Sequence, residues 1–188
     1  MATDADIVNS KGYQDRMRVH DANLNIAETY FKECGLIVRK ADTKPAMEQG
    51  ISFNLCKKEE GKKPLWVSVS VKVDFWANKS DNIAIEYKLN RAKTTFKQPV
   101  KEDGFFFTLG ADKLCVIDKE GGRLFIFDWP TLKKFVSDNM DNELICQRKE
   151  AANKFDGGTA INYLIPIQVL WERNLIEAYR EFTIVEQQ

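Results

Sequence analysis

The chain has 188 residues, 44% of them hydrophobic and 30% charged, with 28 basic side chains balanced by 28 acidic ones. That length and apolar content suit a single α/β domain with a sizeable core. The zero net charge and a pI near 6.6 exclude the global positive field of a strongly basic nucleic-acid binder, so any polyanion would have to meet local patches. Cys34, Cys56, Cys115 and Cys146 are dispersed, form no C-x-x-C pair and have only His20 to join them. This argues against zinc and for reduced thiols in the cytosol. The acidic, polar MATDADIVNSK start is unlike a signal peptide, and no long uncharged apolar run follows, so a soluble cytoplasmic protein is expected.

In chain order, residues 21 to 34 read as a helix with Leu24, Ala27, Phe31 and Cys34 on one stripe and Gly35 as its stop. Gly35 to Arg39 and Ile51 to Leu55 read as strands. Lys57 to Pro64 follows as a charged, exposed loop. The stretch Asn90 to Asp103 is polar and basic and carries no clear element signal. Lys113 to Asp118 and Arg123 to Asp128 form a hairpin around Gly121-Gly122. Asp128 then caps a helix that opens with Trp129-Pro130 and carries Leu132, Phe135 and Val136. Ala151 to Thr159 reads as a loop, Ile161 to Ile165 as a short strand. Pro166 opens a last helix bearing Ile167, Leu170, Ile176 and Tyr179. An antiparallel start followed by later helices predicts an α/β fold of α+β character, not a doubly wound parallel sheet. There is no repeat, no G-x-x-x-x-G-K loop and no G-x-S-x-G elbow.

Val67 to Asn90 carries the chemistry. Val67, Val69, Val71, Val73 and Phe75 alternate with Ser68, Ser70, Lys72, Asp74 and Trp76. Ile83, Ile85, Tyr87 and Leu89 alternate with Ala84, Glu86 and Lys88, and the link from Asn78 to Asn82 is all turn formers. A hairpin turning at Ser80 would set Asp74 opposite Glu86, with Lys88 on the same face. Two carboxylates about 5 Å apart repel unless a cation lies between them, and their hard oxygens suit Mg²⁺ or Mn²⁺. The bland alternative is a solvated hairpin face with a weak Glu–Lys pair. Against it, the Ile-Ala-Ile run and Tyr87 suggest a central strand.

At Asp74 and Glu86-Tyr87-Lys88 the sequence resembles the PD-(D/E)XK nuclease superfamily, which has an Asp ending one strand and Glu-x-Lys in the next; Val73 replaces the usual Pro. The resemblance spans roughly residues 20 to 140 and leaves a C-terminal strand and helix at 160 to 182 within the same single domain. It implies a restriction-endonuclease-like core, a central mixed sheet flanked by helices. It also implies that Asp74, Glu86, the Tyr87 carbonyl and Glu28 on the preceding helix hold the metal. Lys88 would orient or deprotonate water and face the developing oxyanion. The activity implied is a Mg²⁺- or Mn²⁺-dependent endonuclease acting on DNA, doing resolvase- or restriction-like work in a phage, viral or mobile-element setting.

Arg91, Lys93, Lys97 and Lys101 after the motif, and Lys57, Lys58, Lys62 and Lys63 before it, are positioned to meet a phosphate backbone, and Trp76 to stack a base. Solvated lysines and a packed Trp are the ordinary readings of the same residues. Cutting both strands calls for a two-fold homodimer, for which the apolar Ile161 to Tyr179 segment (Tyr163, Leu164, Val169, Leu170, Trp171, Ile176) is the candidate interface; its role as the last core element is the competing reading. Two other functions stay open. One is an RNA endonuclease of the cap-snatching type, for which His20 would serve, although its Lys usually lies farther from the Glu. The other is a non-catalytic nucleic-acid-binding or assembly module. The Q-x-x-x-Y helix of RecB-like exonucleases is missing after Gln98.

Overall fold

The computed structural model describes residues 11–75, 77–91, 100–152 and 159–183, apart from the side chains of 11–20, 91 and 100–102. Helix α1 (Lys11–Glu33) ends where Gly35, at φ +75°, donates its N–H to the Lys32 carbonyl. Strand β1 (Leu36–Lys40), a short helix α2 (Lys44–Glu48), β2 (Phe53–Lys57) and β3 (Trp66–Asp74) follow, with β1, β2 and β3 forming an antiparallel meander. The expected second hairpin is present: β6 (Lys113–Asp118) pairs β7 (Arg123–Asp128) antiparallel. Strand β6 also lies parallel to β3, and β10 (Ile176–Glu181) adds to β7, so the first sheet is mixed, in the order β1-β2-β3-β6-β7-β10.

The motif strands do not form a hairpin. Residues Ala77–Ser80 make one helical turn, α3, whose first N–H is capped by Asp74 Oδ1 at 3.1 Å, and Asp81 at φ +51° turns the chain out of the first sheet. Strand β4 (Asn82–Arg91) then joins a separate four-stranded sheet, β5-β4-β9-β8, made with β5 (Val100–Asp103), β8 (Gln147–Ala152) and β9 (Thr159–Pro166). The physical reason is burial. As a hairpin partner of β3, β4 would compete with β6 for the same edge. In its own sheet it packs Ile83 and Ile85, both fully buried, face to face against β6 and β7.

Layers follow from alternation. Val69, Val71, Cys115, Ile117, Leu124 and Ile126 face Ala27 and Phe31 of α1. Leu114, Val116, Phe125 and Phe127 face Ile83, Ile85, Tyr163 and Ile165, together with Trp129, Leu132 and Val136 of α5 (Trp129–Asn139). The architecture is α/β with a mixed central sheet and flanking helices, and the first sheet is covered on both faces. The last helix, α6 (Ile167–Glu172), is shorter than the pattern suggested: Asn174 at φ +52° ends it, and Ile176 and Tyr179 belong to strand β10. Among the described residues no helix is long and apolar enough to cross a membrane.

Gly104 lies before the one-turn helix α4 (Phe105–Thr108), and its N–H donates to the Tyr87 carbonyl at 2.9 Å. A Cβ at this position would overlap the Glu86 carbonyl, which is backbone and cannot swing aside. Gly104→Ala is therefore expected to cost about 1–3 kcal/mol by forced displacement of β4, read as a lower urea midpoint.

Candidate active site

Because β3 is covered on both sides, its polar alternates are not solvent-facing. Ser70, Lys72 and Asp74 pair in register with Leu114, Val116 and Asp118 and so share the face that meets the second sheet. Ser70 is fully buried, and its Oγ has no hydrogen-bond partner among the described residues. Asp74 is 8% exposed; besides capping α3 it accepts the Ala84 N–H of β4 through Oδ2 at 2.9 Å. Lys72 is half-buried, with its ammonium 5.3 Å from the Phe105 ring centroid. Burial draws its pKa below the ordinary lysine value, and the nearby Glu86 carboxylate pulls the other way.

Asp74 thus meets β4 at the Ala84 main chain, and Lys72, in the same row of β3, lies within electrostatic reach of Glu86. On β4 Glu86 alternates with the buried Ile83 and Ile85 and pairs Asn162, so no hairpin ladder sets it opposite Asp74. The register expected for a hairpin is absent, because β3 and β4 belong to different sheets and Glu86 stands opposite Asn162.

Lys88 does not join this cluster. Strand β4 carries a bulge at Tyr87: Glu86 pairs Asn162, while Lys88 pairs Ile161. Adjacent residues of β9 point to opposite faces, so the extra residue moves Lys88 off the face of Glu86. Lys88 is exposed, its ammonium 5.6 Å from the Tyr87 ring centroid. Tyr87 itself packs against Phe106, Phe107 and Tyr163, and its carbonyl accepts the Gly104 N–H.

Glu28 is also elsewhere. It lies on α1, which covers the opposite face of the first sheet, and it pairs Lys32 at 2.6 Å and Lys40 at 3.9 Å. The Lys32 hydrogen bond holds its carboxyl below the ordinary value. Lys57 and Lys58 are exposed next to the start of β3, eight residues or roughly 26 Å of strand from Asp74. Trp76, Lys93 and Lys97 lie outside the described residues, as do the side chains of Arg91, Lys101 and His20. The segment expected to form a dimer interface mostly serves the chain's own core: Tyr163, Leu170 and Ile176 are buried, while Trp171 and Tyr179 stay exposed and pack edge to face at 5.6 Å.

The alternation of β3 predicts a half-solvated polar row and so gives no reason to single out Lys72, which is half-buried with its ammonium over the Phe105 ring. The available signal was the row itself: Ser70, Lys72 and Asp74 at i, i+2, i+4 in a strand whose other face is all valine. No group of three His, Cys, Asp or Glu converges among the described residues. No protein-family model, curated protein or solved structure matches the chain.

Proposed function

We propose that this protein is a divalent-metal-dependent endonuclease acting on DNA inside the cell, with Asp74 and Glu86 as the metal-holding carboxylates and Lys72 as the catalytic ammonium. One observation carries the reading: the buried carboxylate Asp74, held by the Ala84 N–H of the second sheet, shares one row of β3 with Lys72, a half-buried lysine whose pKa burial lowers and the charge of Glu86 raises. A bound Mg²⁺ or Mn²⁺ supplies Lewis-acid activation of water and phosphate. Asp74 is held rigid by the Ala77 and Ala84 N–H groups, so its position needs no reorganisation. Lys72 places positive charge beside the developing oxyanion, and its lowered pKa brings it nearer the range of a working acid or base. A two-fold dimer that uses the exposed Trp171–Tyr179 pair would set two such sites on one duplex.

The test is nicking of supercoiled DNA with Mn²⁺. Asp74 is a poor probe because its removal strands two main-chain donors, so Glu86→Gln is the informative variant. We expect a tenfold or larger loss of turnover at fixed Mn²⁺, partly recovered at higher Mn²⁺. Normal turnover in Glu86→Gln sinks the assignment. A non-catalytic binding module is the second reading, favoured by the structural bonds of Asp74; it prevails if the wild-type protein binds DNA and RNA but cuts neither.

A further inference from the structure

A cavity of about 600 Å³ opens on the α1 side of the first sheet, at the opposite end of β3 from Asp74, and neither Asp74 nor Glu86 lines it. Its volume is that of a small-molecule site. Helix α1 ends at Glu33, but the apolar sheet face runs on, so Leu55, Val67, Val69 and Ile126 form a wall closed at one side by Phe31. The β2–β3 loop forms the rim and supplies lysines. Lys62 is matched by Glu59 at 2.6 Å, and Lys113 on the far side by Glu177 at 2.7 Å and Asp128 at 3.1 Å. Lys57 and Lys63, also at the rim, have no carboxylate partner among the described residues. The mouth therefore carries surplus positive charge over an apolar interior.

We infer that this cavity binds a single-chain amphiphile with an anionic head, its acyl chain along the wall that runs from β2 across β3 and β6 to β7 and its carboxylate at Lys57 and Lys63. An apolar chain removes from water the wall that α1 leaves bare, and the head supplies the charge the rim lacks. A neutral alcohol of equal length would gain the first term and not the second.

The test is calorimetric titration of the full chain with octanoate, decanoate and dodecanoate below their micelle concentrations, with decanol as the neutral control. Saturable one-to-one binding is expected, with Kd falling roughly fourfold for each added methylene, about fifteenfold per step of the series. Lys57→Glu/Lys63→Glu should weaken decanoate severalfold and leave decanol unchanged. Val67→Trp, which fills the wall, should abolish binding at an unaltered melting temperature; if that variant does not fold, the chain-length series and the lysine pair still decide. Affinity independent of chain length, or decanol equal to decanoate with no effect of the lysine reversals, overturns the assignment. So does a dimer by light scattering that Val67→Trp splits, because the cavity would then be the seat of a second copy.

Discussion

Arg123→Met is expected to lower the stability of the folded chain by about 3–5 kcal/mol, read as a fall in the urea midpoint at unchanged slope. Asp118 is fully buried at the end of β6; its Oδ2 accepts from Arg123 Nε at 2.8 Å and its Oδ1 from the Gly121 N–H at 2.9 Å. The same guanidinium reaches Asp81 at 3.1 Å and the Ala77 carbonyl at 3.3 Å, tying the α3 turn to the β6–β7 hairpin. The β3–β6 register sets Asp74 directly beside Asp118. Removing the guanidinium thus leaves the buried Asp118 carboxylate without its cation and beside a second buried carboxylate, Asp74, a penalty far above that of a surface pair. Adding Asp118→Asn to Arg123→Met should restore part of the loss, because the amide oxygen still accepts from Gly121 and one charge is gone. A midpoint within about 0.5 kcal/mol of wild type would mean the pair behaves as if in water.

What was legible in the sequence was local. The β6–β7 hairpin follows from Gly121-Gly122. The start of α5 follows from Asp128-Trp129-Pro130, where Asp128 Oδ1 accepts the Thr131 N–H at 3.0 Å. Sheet membership was not legible, because it depends on which distant strand buries each face. The link Asn78 to Asn82 suits a hairpin turn and an Asp-capped helical turn equally well, and only β6 and β9 decide between them. A single extra residue at Tyr87 undoes a parity argument that regular alternation made sound. The spacing of Ile176 and Tyr179 mimics a helix, yet β7 offers an open edge and takes the segment as strand β10. The candidate site was legible only as residue types: Asp74, Glu86 and the polar row of β3 can be read from the order of residues, but the burial of that row under a second sheet cannot.

Lys72→Met is expected to cut metal-dependent turnover roughly 10²–10⁴-fold, the range for a positioned acid–base group, while Lys88→Met has little effect. The two lysines differ in surroundings: Lys72 is half-buried with its ammonium over the Phe105 ring and within electrostatic reach of Glu86, and Lys88 is exposed on the other side of the β4 bulge. Stability should move the opposite way from activity. Burial lowers the Lys72 pKa, so the folded chain holds this proton less tightly than the unfolded one. That makes native stability lowest below the depressed pKa and raises it between that value and the ordinary lysine value. Methionine carries no proton, so the variant should lose this rise and be as stable as wild type or more so at neutral pH, measured by urea unfolding with a chelator present. A lysine that served packing alone would shift the unfolding midpoint and leave turnover unchanged. If Lys72→Met turns over normally and Lys88→Met does not, the catalytic ammonium is Lys88 and the Lys72–Asp74 row is not the active site.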